Sequence, residues 1–181
     1  MPTNFDPDLQ FPLVVDGVHC KTFEPKHPTM PYDKNWSSHK FGGKAAFTYE
    51  LAVSTVSQQL CWSRGPYPAG GYSDIIMFQQ GGLQRFLLSH GKEAIADAIY
   101  ARAGGGASTP NTKFETKATN TYRRRARARM ESFNGRINFF GILSQTFRHK
   151  KDRMRKHQIC FEAICVIVQY QMENGSPLFE V

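Results

Sequence analysis

The sequence contains no Cys-x-x-Cys pair, and its longest apolar stretch, residues 159–168, is interrupted by Glu162. The first absence leaves Cys20, Cys61, Cys160 and Cys165 as separate thiols among apolar neighbours. They are read as reduced, mostly buried thiols of an intracellular protein. The second absence excludes a membrane span. The N-terminus, Met-Pro-Thr-Asn-Phe-Asp-Pro-Asp, is polar and acidic, which is not the pattern of a signal peptide. There is no run of interleaved aromatics of the kind that stacks single-stranded bases, and nothing that would read a 2′-hydroxyl; a basic protein that binds RNA stays open as a third class.

What is present is a globular composition, 40% hydrophobic over 181 residues, enough for one domain with a real core. The net charge of +8 points to an anionic partner. That charge is local. Residues 113–156 hold 14 of the 23 Lys/Arg and 3 of the 15 Asp/Glu, a net of +11, while the rest of the chain nets −3. Five arginines fall within seven residues: Arg123, Arg124, Arg125, Arg127 and Arg129. Such a run is either a solvated helix face or a phosphate-binding surface, and its density favours the second.

In chain order, Leu13-Val14-Val15 is a short β-prone run that Asp16-Gly17 is expected to end. Residues 21–39 read as a loop. Residues 44–56 and 59–63 read as a hairpin joined at Ser57-Gln58, and Gly65–Gly71 should end regular structure. Ser73 or Asp74 caps a helix broken near Gly81-Gly82. Residues 93–97 repeat the opening pattern, a short apolar strand closed by Asp97. Residues 102–121 read as a mobile loop. A helix over 122–140 places Phe133, Ile137 and Phe140 on its core face and Arg127, Glu131, Asn134 and Asn138 on a polar stripe. A second, strongly apolar helix over 157–172 is expected to be the most buried element. The tail at 178–181 is expected to dock. The order predicts an α/β domain, a mixed sheet flanked by helices.

Asp16 and Asp97 both close short apolar strands, and neighbouring strands would bring both carboxylates to one sheet edge. Glu131, on a following helix, could cross that edge, or simply pair with Arg127 one turn away. Three hard oxygen ligands beside a basic surface suit Mg²⁺ or Mn²⁺, and a two-metal site of this kind would activate a water or a 3′-hydroxyl for attack at phosphorus.

At these residues the chain resembles the catalytic domain of DDE-superfamily transposases, the Harbinger-like endonuclease group. The resemblance is carried by Val15-Asp16-Gly17-Val18-His19, by Gly65-Pro66-Tyr67-Pro68-Ala69-Gly70-Gly71-Tyr72-Ser73-Asp74, by Ala96-Asp97-Ala98-Ile99-Tyr100 and by Arg127-Ala128-Arg129-Met130-Glu131-Ser132-Phe133-Asn134-Gly135-Arg136. It covers residues 11–181. Ala98-Ile99 and Met130 depart from the family's usual Lys-Gly and His.

The resemblance implies a ribonuclease-H-like fold and metal-dependent cutting and joining of DNA, with Asp16, Asp97 and Glu131 as the catalytic and metal-binding triad. Asp74 matches a recurrent position outside the triad, as a cap or a support to the ligands. The five arginines would grip DNA with Lys150, Lys151, Arg153, Arg155 and Lys156. The family's N-terminal DNA-reading region has no counterpart here, so a separate DNA-reading protein is an expected partner. Residence in the nucleus follows from that function. The alternative is a non-catalytic, domesticated or decayed DNA-binding protein of the same fold.

Overall fold

The computed structural model of the protein describes residues 10–24, 33–110, 116–149 and 151–181. Its centre is a five-stranded mixed sheet with the spatial order β3-β2-β1-β4-β5. The strands are β1 (Leu13–Lys21), β2 (Ala46–Ser54), β3 (Leu60–Pro68), β4 (Ala94–Ile95) and β5 (Ala107–Ser108). β1 pairs antiparallel with β2 and parallel with β4, and β4 pairs parallel with β5. The helices are α1 (Asp74–Gly81), α2 (Leu83–Ser89), α3 (Lys117–Asn138), α4 (Gly141–Ser144) and α5 (Arg153–Glu173). This is an α/β fold with a ribonuclease-H-like mixed sheet flanked by helices.

Alternation along the strands sorts the core into two layers. Val14, Val18, Phe47, Tyr49 and Leu51 pack under α3 and α5, against Met130, Phe133, Phe161 and Val168. Val15 and Ala52, on the other face, pack against Phe78, Leu83, Leu87 and Tyr100. β2 is buried at all nine residues because both faces are covered. Between β2 and α5 the Tyr49 ring lies on that of Phe161, centroids 3.7 Å apart, and its hydroxyl is 2.7 Å from Nδ1 of the fully buried His157.

Several boundaries differ from expectation. β1 does not stop at Asp16-Gly17. The apolar alternation resumes at Val18 and Cys20, and the strand stays in register with β2 as far as Lys21 opposite Ala46. β3 continues through the glycine-proline stretch because the register shifts between Thr48 and Glu50, which absorbs Gly65-Pro66 as a bulge. Gly65 is needed there: its φ is +137° and a Cβ would lie 2.6 Å from the Tyr49 ring. The stretch expected as a mobile loop contains β5 and the start of α3, whose first turn is capped by Thr116 accepting from the Thr119 N–H; residues 111–115 of it, and 25–32 of the expected 21–39 loop, lie outside the described residues. α1 is capped by Ser73, not Asp74, and Gly82 makes the break before α2. Cys20 and Cys165 are buried, but Cys61 is exposed. α5 is buried along one stripe only, with Ile159, Val166 and Tyr170 57–68% exposed.

The basic run of α3 also departs from expectation. Arg129 is 1% exposed. Its Nε donates to the Phe179 carbonyl at 2.9 Å, and Nη1 donates to the carbonyls of Ser54 and Thr55 at 3.3 and 2.5 Å. It thus ties α3 to the β2–β3 turn and to the chain's last residues. Arg125 donates to the Glu180 carbonyl and Arg136 to those of Ser176 and Pro177, which docks the tail with Leu178 buried. Replacing Arg129 by Met removes the donor from the buried carbonyls of Ser54 and Thr55 and from the part-buried one of Phe179. The expected loss is about 2–4 kcal/mol of stability in urea unfolding, whereas Arg124→Met, at an exposed position, is expected to change stability by less than about 0.5 kcal/mol.

Candidate active site

β1 and β4 pair over only two residues, Leu13 with Ala94 and Val14 with Ile95. Beyond them the strands part, and the gap opens at the carboxyl ends of the parallel pair, where open α/β sheets place their ligands. Asp16 lies at this fork on the face covered by α3, and Asp97 follows β4. A cavity of about 200 Å³ fills the fork, lined by Val14, Val15, Asp16, Lys40, Asp97, Arg127, Met130 and Glu131. The three acids singled out in the sequence therefore line one cavity, with two cations.

Asp16 is held from two sides. Its Oδ1 accepts from the Gly17 N–H and its Oδ2 from Nδ2 of Asn134 on α3, both at 2.8 Å. Burial pushes its carboxyl up; Lys40 and the Gly17 hydrogen bond oppose this, and Asp74 and Asp97 add to it. Lys40 also donates to the Gly17 carbonyl at 2.6 Å, which fastens the residue 39–41 turn to β1. Asp97 caps the following 3-10 turn (Ala98–Ala103), accepting from the Ala98 N–H, and lies 3.4 Å from Nη2 of Arg127. Arg127 thus pairs across the cavity with Asp97, and Glu131, one turn along α3, is exposed at the rim.

Asp74 approaches β1 from the opposite face. A Cβ on Gly17 would collide with its carboxylate, so glycine is required in mid-strand. Its Oδ1 is buried and accepts no hydrogen bond, and burial pushes its carboxyl up, opposed by Lys40 and His39. Glu50, on β2, stands directly opposite Gly17 and is fully buried. Its Oε2 accepts from Trp62 Nε1 at 2.8 Å, and burial pushes it up to about 7 against the pull of Trp62 and Arg64. Two acids thus back the strand that carries Asp16.

The donor set is all carboxylate oxygen, the kind that hard divalent cations take, and Asn134 Oδ1 adds a buried oxygen without a hydrogen-bond partner beside Asp16. Among the described residues, no three acid, imidazole or thiol side chains are drawn together closely enough to hold one ion. Arg127 occupies Asp97, and Glu131 stands outward; a cation would have to displace the first and draw in the second.

The five arginines do not form one phosphate-gripping face. Arg129 and Arg123 are buried, the latter with its guanidinium 5.1 Å from the Phe11 ring centre, and Arg125 holds the tail. Arg124 is exposed, and its three-residue step to Arg127 puts both on the cavity side of α3. In the second basic segment, Lys151, Arg155 and Lys156 are exposed, Arg153 donates to the Phe23 carbonyl, and Lys150 lies outside the described residues. Sequence reasoning missed Lys40, Asn134 as a support for Asp16, and Glu50. Asn134 was legible from its place on the polar stripe; Lys40 arrives from a turn that no spacing connects to the site. No described helix is long and apolar enough to cross a membrane. Comparisons with family models, curated proteins and solved structures give no match.

Glu50 yields a pH test. Its carboxyl sits at about 7 in the fold and 4.5 in the unfolded chain. The stability tied to its protonated form is therefore complete below pH 4.5 and lost as pH rises through 7. Glu50→Gln is expected to remove that loss. In urea unfolding at pH 4.5 and 7.5, the variant should gain on the wild type by roughly 2–3 kcal/mol between the two pH values.

Proposed function

We propose that this chain is a metal-dependent DNA endonuclease domain of the DDE transposase type. The observation that carries the reading is that Asp16, Asp97 and Glu131, from β1, the end of β4 and α3, line one cavity with Lys40 and Arg127. The sequence resemblance points to the same three residues. Mg²⁺ or Mn²⁺ held by these carboxylates would supply Lewis-acid activation of a water or 3′-hydroxyl and neutralise charge at phosphorus.

The chain's own residues have definite parts in this reading. Asn134 fixes the direction of the Asp16 carboxylate. Lys40 lowers the energy of that buried charge. Arg127 balances Asp97 until a cation or a phosphate takes over one of the pair, and Arg124 adds a sequence-independent phosphate contact at the rim. DNA is the substrate, and the nucleus is the place of action.

The second reading is a DNA-binding protein of the same fold without catalysis. The Arg127–Asp97 pair favours it, because it already satisfies one of the three acids internally.

Titration calorimetry with Mn²⁺ and Mg²⁺ tests the first reading, alongside nicking of supercoiled plasmid. Saturable binding and metal-dependent nicking are expected for the wild type, and loss of both in Asp16→Asn and Glu131→Gln. Equal metal binding in wild type and variants would sink the endonuclease reading. DNA binding without metal uptake or nicking, weakened by Arg127→Ala, would establish the second.

A further inference from the structure

We propose that α5 pairs antiparallel with α5 of a second copy of this chain. The helix buries the stripe His157, Phe161, Ile164, Cys165, Val168 and Met172 against its own core. On the other side it exposes Lys156, Ile159, Ala163, Val166, Tyr170 and Glu173. Their steps are three, four, three, four and three, the spacing of a coiled-coil seam, about 26 Å long over its 18 residues. Ile159, Val166 and Tyr170 are 57, 68 and 64% exposed, an unusual outlay of large apolar side chains on one helix face.

The seam keeps its charged–apolar pattern in reverse with the end charges inverted, and this identifies the occupant. A two-fold axis between Ile164 and Cys165 sets Lys156 against Glu173, Ile159 against Tyr170, and Ala163 against Val166. Every position then meets a partner of opposite charge or of matching apolar character, the small Ala163 making room for Val166. The helix dipoles also oppose each other in this orientation. A parallel pair would instead set Lys156 on Lys156 and Glu173 on Glu173. The self-complementary pattern is what an isologous two-fold contact requires. A seam of one helix per copy lies at the small end of specific interfaces, so the dimer is concentration-dependent, with a Kd on the order of 10 μM.

Sedimentation equilibrium on the whole chain, from about 1 to about 200 μM, tests the pairing, with circular dichroism to show that each variant keeps its helices. The wild type is expected to pass from monomer to dimer. Val166→Asp, which sets an unpaired carboxylate in the centre of the seam, should weaken association by at least about 100-fold. Lys156→Glu and Glu173→Lys should each weaken it about 3- to 10-fold, and the double variant should return to within about 3-fold of wild type. A monomer throughout, a dimer indifferent to Val166→Asp, or a double variant no better than the singles would each overturn the proposal.

Discussion

The unequal pairing of β1 sets the architecture. It is bonded to β2 along nine residues but to β4 along two. The long ladder makes β1 the rigid centre of the sheet. The short one frees its other edge just before Asp16. Because β4 ends at Ile95, the chain turns away with Asp97 at the mouth of the same opening. α3 then crosses above it and contributes Arg127, Glu131 and Asn134 from successive turns. A longer β4 would close the fork and remove the cavity.

The acids around β1 lie on both of its faces, and this is costly without compensation. Asp16 is stabilised by two hydrogen bonds and by Lys40. Behind the strand, Asp74 and Glu50 have one unpaired oxygen each, and the Tyr100 hydroxyl, buried beside them, also has no partner. Gly17 is the hinge of this arrangement, since only the absence of a side chain lets Asp74 come so close to the strand. A stability optimum would not gather acids in this way. Sites of chemistry commonly do, accepting local strain in exchange for reactive groups held in place.

Much of this was legible in the sequence. The apolar strands before Asp16 and Asp97 and the 127–131–134 stripe on α3 pointed to one cavity lined by all three acids, but not to Arg127 occupying Asp97 or to Glu131 standing exposed at its rim. The misreadings have physical causes. A mid-strand glycine resembles a strand end unless the carboxylate packed against it is known. β5, two residues long, is too short for alternation to register, and its pairing is entirely non-local. The arginines were counted as a block, although Arg123 and Arg129 stand at helical spacing with Ala126, Met130 and Phe133, which makes them part of the buried face. Apolar content alone made α5 look the most buried element, whereas its apolar residues divide between two opposite stripes.

The placement of those arginines changes what the chain's formal charge means. Ion release on binding a polyanion counts the phosphates actually neutralised, not the basic residues in the composition. Arg129 is spent on backbone carbonyls, and Arg125 and Arg136 on the tail. Three of the helix's arginines therefore hold backbone carbonyls, Arg129 in the interior and Arg125 and Arg136 at the surface. On the cavity side of α3 stand Arg124, exposed, and Arg127, paired with Asp97, so the charge this helix presents there follows from placement and not from its number of arginines.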